Sequence, residues 1–425
     1  MITNLNQHLP DDHPRVKEFF LARQPILNND QDLVAYELLF RRASSGPANV
    51  VDDLAATASV IAHASELGIG NVIGNSLGFF NVDAAVLMCD FVNFLPSDKV
   101  VLEILETVEI THELVERVSE LVAQGFTFAL DDVISHSDAL KDLLPLIKII
   151  KIDITGMSTT ELGKLADHFR LEDKLLLAEK VETQEQFEAC MKLGFHYFQG
   201  YYFARPVILS GKKLAPSQLA IMQLMALIMA DADTAEIERN IKKDASLVLT
   251  LLRLANTPGV GVTQRIDSLG QALTVLGRRQ LQRWLQIILY AEHNKGSHFT
   301  SPLLQLATTR GKLLELITEK LRPDNRSMAD TAFTVGIMSL MDTLFSQSME
   351  EILDQVSVVE EVTDALLYRK GFYGDLLKLA EYIEQIEKTG ALLIPTLQKL
   401  QLSIEDLYAL QLAAFEWSNN VSGCV

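Results

Sequence analysis

From Phe19 to about Pro206, short apolar or β-branched runs alternate with stretches of helical spacing. Runs at 19–27, 33–40, 77–82, 100–105, 126–132, 147–153, 175–181 and 195–203 have the length of strands, and a polar residue lies at or near the end of most of them. Between them, DDLAATASVIAHASEL, THELVERVSELVAQ and TQEQFEACMKLG repeat apolar residues three and four apart. The last two open on a threonine, whose hydroxyl can accept from the unpaired amides of a first helical turn. Strands and helices in this alternation predict an α/β fold closed as a TIM-like (β/α)8 barrel. An open doubly wound sheet is the rival, but no G-x-G-x-x-G turn follows an early strand. The barrel span is short, so some helices should be trimmed. After Pro206 the pattern changes. LSGKKLAPSQ (209–218) is a polar connector, and 217–230, 234–255, 268–294, 302–321, 328–346, 358–388 and 402–418 all carry helical spacing, with a turn-rich loop at 256–268. The expected organisation is an N-terminal tail (1–18), a barrel domain (19–208), a linker (209–216) and an all-α helical domain (217–425).

Composition narrows the function. The chain has 425 residues, 48% of them hydrophobic, enough for two cored domains. Its 37 Lys and Arg stand against 56 Asp and Glu, a net charge of −19 that repels polyanions and disfavours nucleic acid as a partner. Cys89, Cys190 and Cys424 are far apart and form no C-x-x-C pair, which fits a reducing cytoplasm. The N-terminus lacks a basic and then apolar leader, and the longest apolar stretch, around Leu219 to Ala230, falls short of the roughly 20 residues a membrane span needs. A soluble, unexported protein is expected.

The strand ends carry the candidate chemistry. Glu37, Asn81, Glu103, Asp131 with Asp132, Lys151 with Asp153, Glu179 and Gln199 close seven of the eight predicted strands. In a barrel these ends converge on one face. Any one of them alone is more simply a helix cap or a solvated loop residue, and Asp131-Asp132 could cap the helix that follows. Recurrence at comparable depth is what capping does not require. Carboxylates gathered so closely need cations, and oxygen donors select Mg2+, Mn2+ or Ca2+ over zinc. Two such ions would polarise a phosphoryl group and activate water, so the chemistry pointed to is metal-assisted phosphodiester hydrolysis, or binding of such a ligand.

Eight ordered motifs then carry a resemblance: ARQPI (22–26), YELLFR (36–41), FFNVD (79–83), LEILE (102–106), ALDD (129–132), KID (151–153), AEKVET (178–183) and FQGYYFARP (198–206). Across Phe19 to Pro206 the chain resembles the EAL family of cyclic-di-GMP phosphodiesterases. The resemblance implies a modified (β/α)8 barrel in which two Mg2+ or Mn2+ ions hydrolyse cyclic-di-GMP to the linear dinucleotide. Position by position, it implies metal ligands at Glu37, Asn81, Glu103, Asp131 and Asp132, with Asp132 on the second ion. It implies a water-orienting Lys151, catalytic roles for Glu37 and Glu179, and ligand contacts at Gln24, Arg41, Asp153 and Gln199. Arg41 suits a phosphate by its planar donor fork. The chain departs from the pattern at Glu37-Leu38-Leu39, where active members read E-A-L, and at DDVISHSDA (131–139), where they read D-D-F-G-T-G-x-S-S. Lys180 replaces the glycine of A-E-G-V-E-T.

From about Leu214 to Tyr382 the chain resembles the HDOD family, on IKKDASLVLTLLRLANTPGVG (241–261) and IDSLGQALTVLGRRQLQRWL (266–285). The His-Asp dyad of the related HD phosphohydrolases is missing; GIMSLMD (336–342) has Ser339 and Leu340 where it is expected. This half is therefore expected to bind or transmit. His293 and His298 read as surface residues, Trp284 and Trp417 as core anchors, and the Met-rich 221–230 helix as core. Two readings stay open: a cyclic-di-GMP phosphodiesterase with an HDOD regulatory domain, or a non-catalytic scaffold that binds protein partners through its helical half, with or without the nucleotide. Homodimerisation is a further possibility, and control of motility or biofilm is what the resemblance implies as output.

Overall fold

The computed structural model describes residues 19–42, 69–105, 108–131, 133, 141–200, 216–229, 232–244, 247–248, 251–252, 255–256, 266, 268–291, 301–345, 347–354, 356 and 358–422. Strands β1 (Phe19–Leu27), β2 (Leu33–Arg42), β3 (Leu77–Val82), β4 (Val100–Ile104), β5 (Thr127–Leu130), β6 (Ile149–Asp153), β7 (Leu175–Glu179) and β8 (Tyr197–Phe198) close into a barrel in chain order. Helices α1 (Ile69–Ile73), α2 (Ala84–Leu87), α3 (His112–Ala123), α4 (Thr159–Leu171) and α5 (Gln184–Lys192) lie between the strands. The threonine caps form as their sequence suggests: Leu114 N donates to Thr111 Oγ1, and Thr183 makes a reciprocal capping box with Gln186. The helix expected at 52–67 and the connector up to Ala215 fall outside the described residues.

One strand departs from a uniform (β/α)8 barrel. β1 runs antiparallel to both β2 and β8, while β2 to β8 are parallel. The reason is the link between β1 and β2. It is a five-residue turn, 28–32, in which Asn28 Oδ1 accepts from the amides of Asp30 and Asp32. A parallel return would need a dozen or more residues.

The period of two along each strand then builds the barrel in layers. Ile26, Ala35, Phe79, Val101, Ala129, Ile149 and Leu177 form an apolar floor inside it. The next inward position on each parallel strand is two residues later, giving Glu37, Asn81, Glu103, Asp131, Lys151 and Glu179. On β1, which runs the other way, it is two residues earlier, giving Gln24. Leu38, Phe80, Leu102, Phe128, Ile150 and Leu176 fall on the opposite face and pack outward with the helices.

The second half comprises α6 (Pro216–Met229), α7 (Thr234–Ile241), α8 (Leu269–Ala291), α9 (Pro302–Leu321), α10 (Arg326–Met338), α11 (Met341–Phe345), α12 (Met349–Leu353), α13 (Glu360–Tyr368), α14 (Gly371–Glu384), α15 (Ile386–Thr389), α16 (Leu393–Leu400) and α17 (Ile404–Ser422). Several long periodic stretches are broken. The 268–294 stretch kinks at Gly277, whose φ is 67°. The 358–388 stretch stops at Arg369 in the left-handed region and restarts after Lys370. Ile221, Met222, Leu224, Met225 and Ile228 of α6 are buried in the helical core, and Trp417 packs edge-on against Phe333. His293 and His298 lie outside the described residues. Among the described residues no helix is long and apolar enough to cross a membrane.

Candidate functional site

The polar layer surrounds one buried ammonium. Lys151 Nζ lies 2.7 Å from Asp131 Oδ1, 2.8 Å from Glu103 Oε1, 3.0 Å from Glu179 Oε1 and 3.3 Å from Glu37 Oε2. Lysine has three N–H donors and four carboxylates compete for them. With all groups ionised the count is 1 − 4 = −3, in a place where water screens little.

Amides complete the layer. Asn81 Nδ2 donates to Glu37 Oε1 at 3.0 Å. Gln199 Nε2 donates to Glu37 Oε2 at 2.7 Å and to Gln24 Oε1 at 2.6 Å. Gln199 reaches this position because Gly200 follows it. The Gly200 φ is 152°, and a Cβ there would stand 2.3 Å from the Val181 carbonyl oxygen, so no larger residue fits. Asn81 Oδ1, Gln199 Oε1, Glu103 Oε2 and Glu179 Oε2 are buried without a hydrogen-bond partner among the described residues. Buried oxygens of this kind normally have a partner, an ordered water or an ion beside them.

The titration of the cluster follows from its crowding. Burial raises the Glu103 carboxyl well above the ordinary range, and the charge of Glu37 raises it further against the pull of Lys151. Glu179 is pushed up to about 8, first by burial, against the pull of Lys151 and with the charges of Asp131 and Glu37 adding to the rise. Burial alone would raise Glu37 too, but Lys151 and the donors of Gln199 and Asn81 bring it below the ordinary value. Burial acts to neutralise Lys151, yet the carboxylates, led by Glu103, hold it charged well above the usual lysine range. The metal-free cluster thus limits its charge by retaining protons on Glu103 and Glu179.

Glu37, Asn81, Glu103, Asp131, Lys151, Glu179, Gln199 and Gln24 therefore meet in one layer. Asp153 is turned to the rim instead, where its carboxylate accepts from Lys180 Nζ at 2.6 Å and from the Thr155 amide at 2.8 Å. Lys180 holds a left-handed φ of 57°, a conformation that suits glycine better. Arg41 pairs through its backbone with Phe20, and its side chain is outside what is described, as is Asp132. Among the described residues no three His, Cys, Asp or Glu are placed so that they could hold a metal ion; Lys151 stands where the carboxylates converge. The oxygen-only donor set and its unpartnered oxygens nevertheless suit a hard divalent ion.

Sequence reasoning missed Arg23 and Tyr36. They alternate with Gln24 and Glu37 and so face out of the barrel, where the helical half receives them; strand period marks them as outward but not what they meet. In the helical half, Ser339 is bound to Arg310, which also grips Glu384 through two contacts. The position expected for an HD dyad is a structural network.

The sequence matches the EAL domain over residues 6–206 and the HDOD domain over residues 214–365. The YuxH protein of Bacillus subtilis is 30% identical over 411 residues, covering 95% of this chain and 98% of its own. Cyclic di-GMP phosphodiesterase CdgJ of Vibrio cholerae is 31% identical over 413 residues, covering 95% of this chain and 93% of its own. A solved structure of Klebsiella pneumoniae BlrP1 with manganese and cyclic-di-GMP is 24% identical and overlaps 47% of this chain and 57% of that one at a TM-score of 0.37. With its barrel in the first half and an HDOD domain in the second, the chain belongs to the EAL family.

Proposed function

We propose that the chain is a cyclic-di-GMP signalling protein that hydrolyses cyclic-di-GMP to linear pGpG at the mouth of its barrel, using two Mg2+ or Mn2+ ions. The observation that carries this reading is the polar layer, in which four carboxylates from four strands share one lysine and oxygens of Asn81, Glu103, Glu179 and Gln199 have no hydrogen-bond partner among the described residues. Glu37, Asn81, Glu103, Asp131 and Asp132 would hold the ions. Bound there, divalent ions supply Lewis acidity to the phosphoryl group and make a bound water more acidic. The chain's own groups do the rest. Lys151, kept charged by the carboxylates around it, would direct its donors at the attacking water, and Glu179 would exchange a proton with that water. Gln24, Arg41, Asp153 and Gln199 contact the dinucleotide, with Arg41 gripping a phosphate.

The relatives named above support the nucleotide. CdgJ, which this chain matches over nearly its whole length, bears the name of a cyclic-di-GMP phosphodiesterase. A cytoplasmic location, a protein partner bound through the helical half and homodimerisation belong to the same reading, with motility or biofilm as output. The altered 133–139 loop and Lys180 favour a second reading, a scaffold without turnover. Purified protein with Mn2+ separates the two. The first requires pGpG to accumulate and Glu37→Ala to abolish it; absence of product, with nucleotide binding seen by calorimetry, leaves the scaffold.

A further inference from the structure

We propose that the β1–β2 ribbon is a mechanical link through which the helical half sets the position of Glu37 and Gln24, with Arg23 as its positioning residue; this rests on the ion-binding reading of the polar layer. Each strand of the ribbon carries three kinds of residue along one face. On β1 the series is Phe20 and Ala22, then Gln24, then Ile26. On β2 it is Leu39, then Glu37, then Ala35. Ile26 and Ala35 belong to the barrel floor, and Gln24 and Glu37 to the polar layer. Phe20, Ala22 and Leu39 are packed in the core of the helical half. One stiff ribbon therefore has its upper part in one core and its lower part in the other.

Its other face is gripped as well. The Arg23 guanidinium lies between the rings of Tyr36, 4.4 Å away, and Phe415 of α17, 4.0 Å away. It donates to Thr309 Oγ1 of α9 at 3.0 Å, to Asn419 Oδ1 of α17 at 3.3 Å and to the Val72 carbonyl oxygen of α1. All of these partners are neutral, so the buried cation is held by ring faces and by acceptors from three separate helices rather than by one counter-charge. Its seat exists only when α1, α9 and α17 are in register. Gln411 Nε2 of α17 donates to the Leu21 carbonyl oxygen at 2.9 Å, a second tie on the same strand.

The seam also has slack. A cavity of about 50 Å3 lies between the ribbon and the helices, walled by Ala22, Arg23, Tyr36, Gln305 and Gln411, and the Tyr36 hydroxyl is buried without a hydrogen-bond partner among the described residues. A filled core would resist a shift; this one leaves room for it. Gln24 and Glu37 are directly paired across the ribbon and share the Gln199 donor, so a shift moves both together.

The test uses the full chain with Mn2+ as the probe, and compares wild type, Arg23→Ala, Arg23→Lys and Ile352→Ala, a core truncation in α12 away from the ribbon. Mn2+ binding is read by electron paramagnetic resonance, and the Lys151 side-chain 15N resonance reports the polar layer without metal. Arg23→Ala is expected to weaken Mn2+ about tenfold, the scale of lost outer-shell support, and to shift the Lys151 signal. Arg23→Lys should fall between, and Ile352→Ala should change neither. Because coupling is reciprocal, Mn2+ should slow hydrogen exchange of 404–422 in wild type and not in Arg23→Ala. A folded Arg23→Ala with affinity within twofold of wild type and an unmoved Lys151 signal overturns the link, as does an equal effect from Ile352→Ala. If wild type binds no Mn2+, the ion-binding reading fails and the Lys151 signal alone decides the link. Should Arg23→Ala not fold, Thr309→Val, which removes one acceptor, must shift the same signals in the same direction.

Discussion

Two buried charge clusters, one in each half, solve opposite problems. In the barrel, one cation, Lys151, faces four carboxyl groups, of which Glu103 and Glu179 limit the charge by retaining protons, and oxygens of Asn81, Glu103, Glu179 and Gln199 have no hydrogen-bond partner among the described residues. In the helical half, Arg310 gives its carboxylate hydrogen bonds to Glu384, with Glu381 and Asp342 near enough to act on its charge. Its Nε and one terminal nitrogen meet the two oxygens of Glu384 at 3.0 and 2.5 Å, and its other terminal nitrogen meets Ser339 Oγ, which donates onward to the Gly336 carbonyl oxygen. That pair is balanced, 1 − 1 = 0. The helices crossing beside it touch through glycines: a Cβ at Gly336 would lie 2.5 Å from Gly311 Cα. A paired cation supports the fold; a cluster with more carboxylates than cations and with idle oxygens is arranged for something that arrives later.

The contrast breaks first at the two cations. Lys151→Met leaves buried carboxylates with no counter-charge and should cost about 3–5 kcal/mol in urea unfolding without metal, with Mn2+ restoring part of it. Arg310→Met should cost about 3 kcal/mol, with Mn2+ restoring none, while adding Glu384→Gln recovers part of the loss. Equal responses of both variants to Mn2+ would erase the difference between the clusters. Next, Mn2+ at 100 times its dissociation constant should stabilise wild type by about 2.7 kcal/mol, seen as a higher melting temperature that chelator reverses and Glu37→Ala abolishes. The smallest effect concerns Glu315, whose burial would raise its pKa but whose contacts with Arg283, at 2.9 and 2.7 Å, and with Lys312, at 2.8 Å, hold it below the ordinary range. Its folded pKa lies below the unfolded one, so its stabilisation is complete above the unfolded value and disappears as pH falls through the folded value. Glu315→Gln should therefore cost about 1–2 kcal/mol at pH 7 and progressively less as pH falls below the unfolded carboxyl value.

Much of the barrel was legible because strand chemistry is local. Runs of the right length, polar residues two positions beyond apolar ones, and threonine caps all follow from side-chain alternation and capping within a few residues. The direction of β1 was legible in principle from its five-residue turn. Other features were not. The breaks at Gly277 and Arg369 interrupt stretches whose apolar spacing runs on without a gap, since spacing does not record a left-handed φ. Asp153 shares its motif with Lys151 but is drawn to the rim by Lys180, a residue from another strand.

What the sequence determined by itself is which residues share a face: Gln24 with Ile26, Glu37 with Ala35, Lys151 with Ile149. That follows from the pleat alone. Only the tertiary structure decided that these faces converge on one ammonium, that Asp153 stands apart from it, and that the ribbon carrying Glu37 and Gln24 continues into the core of the helical half. Those outcomes depend on closure of the barrel and on helices more than 250 residues away in the chain reaching Arg23, as Thr309 and Asn419 do. Local alternation carries no record of which distant surface will fill the outer face of a strand that has no helix of its own.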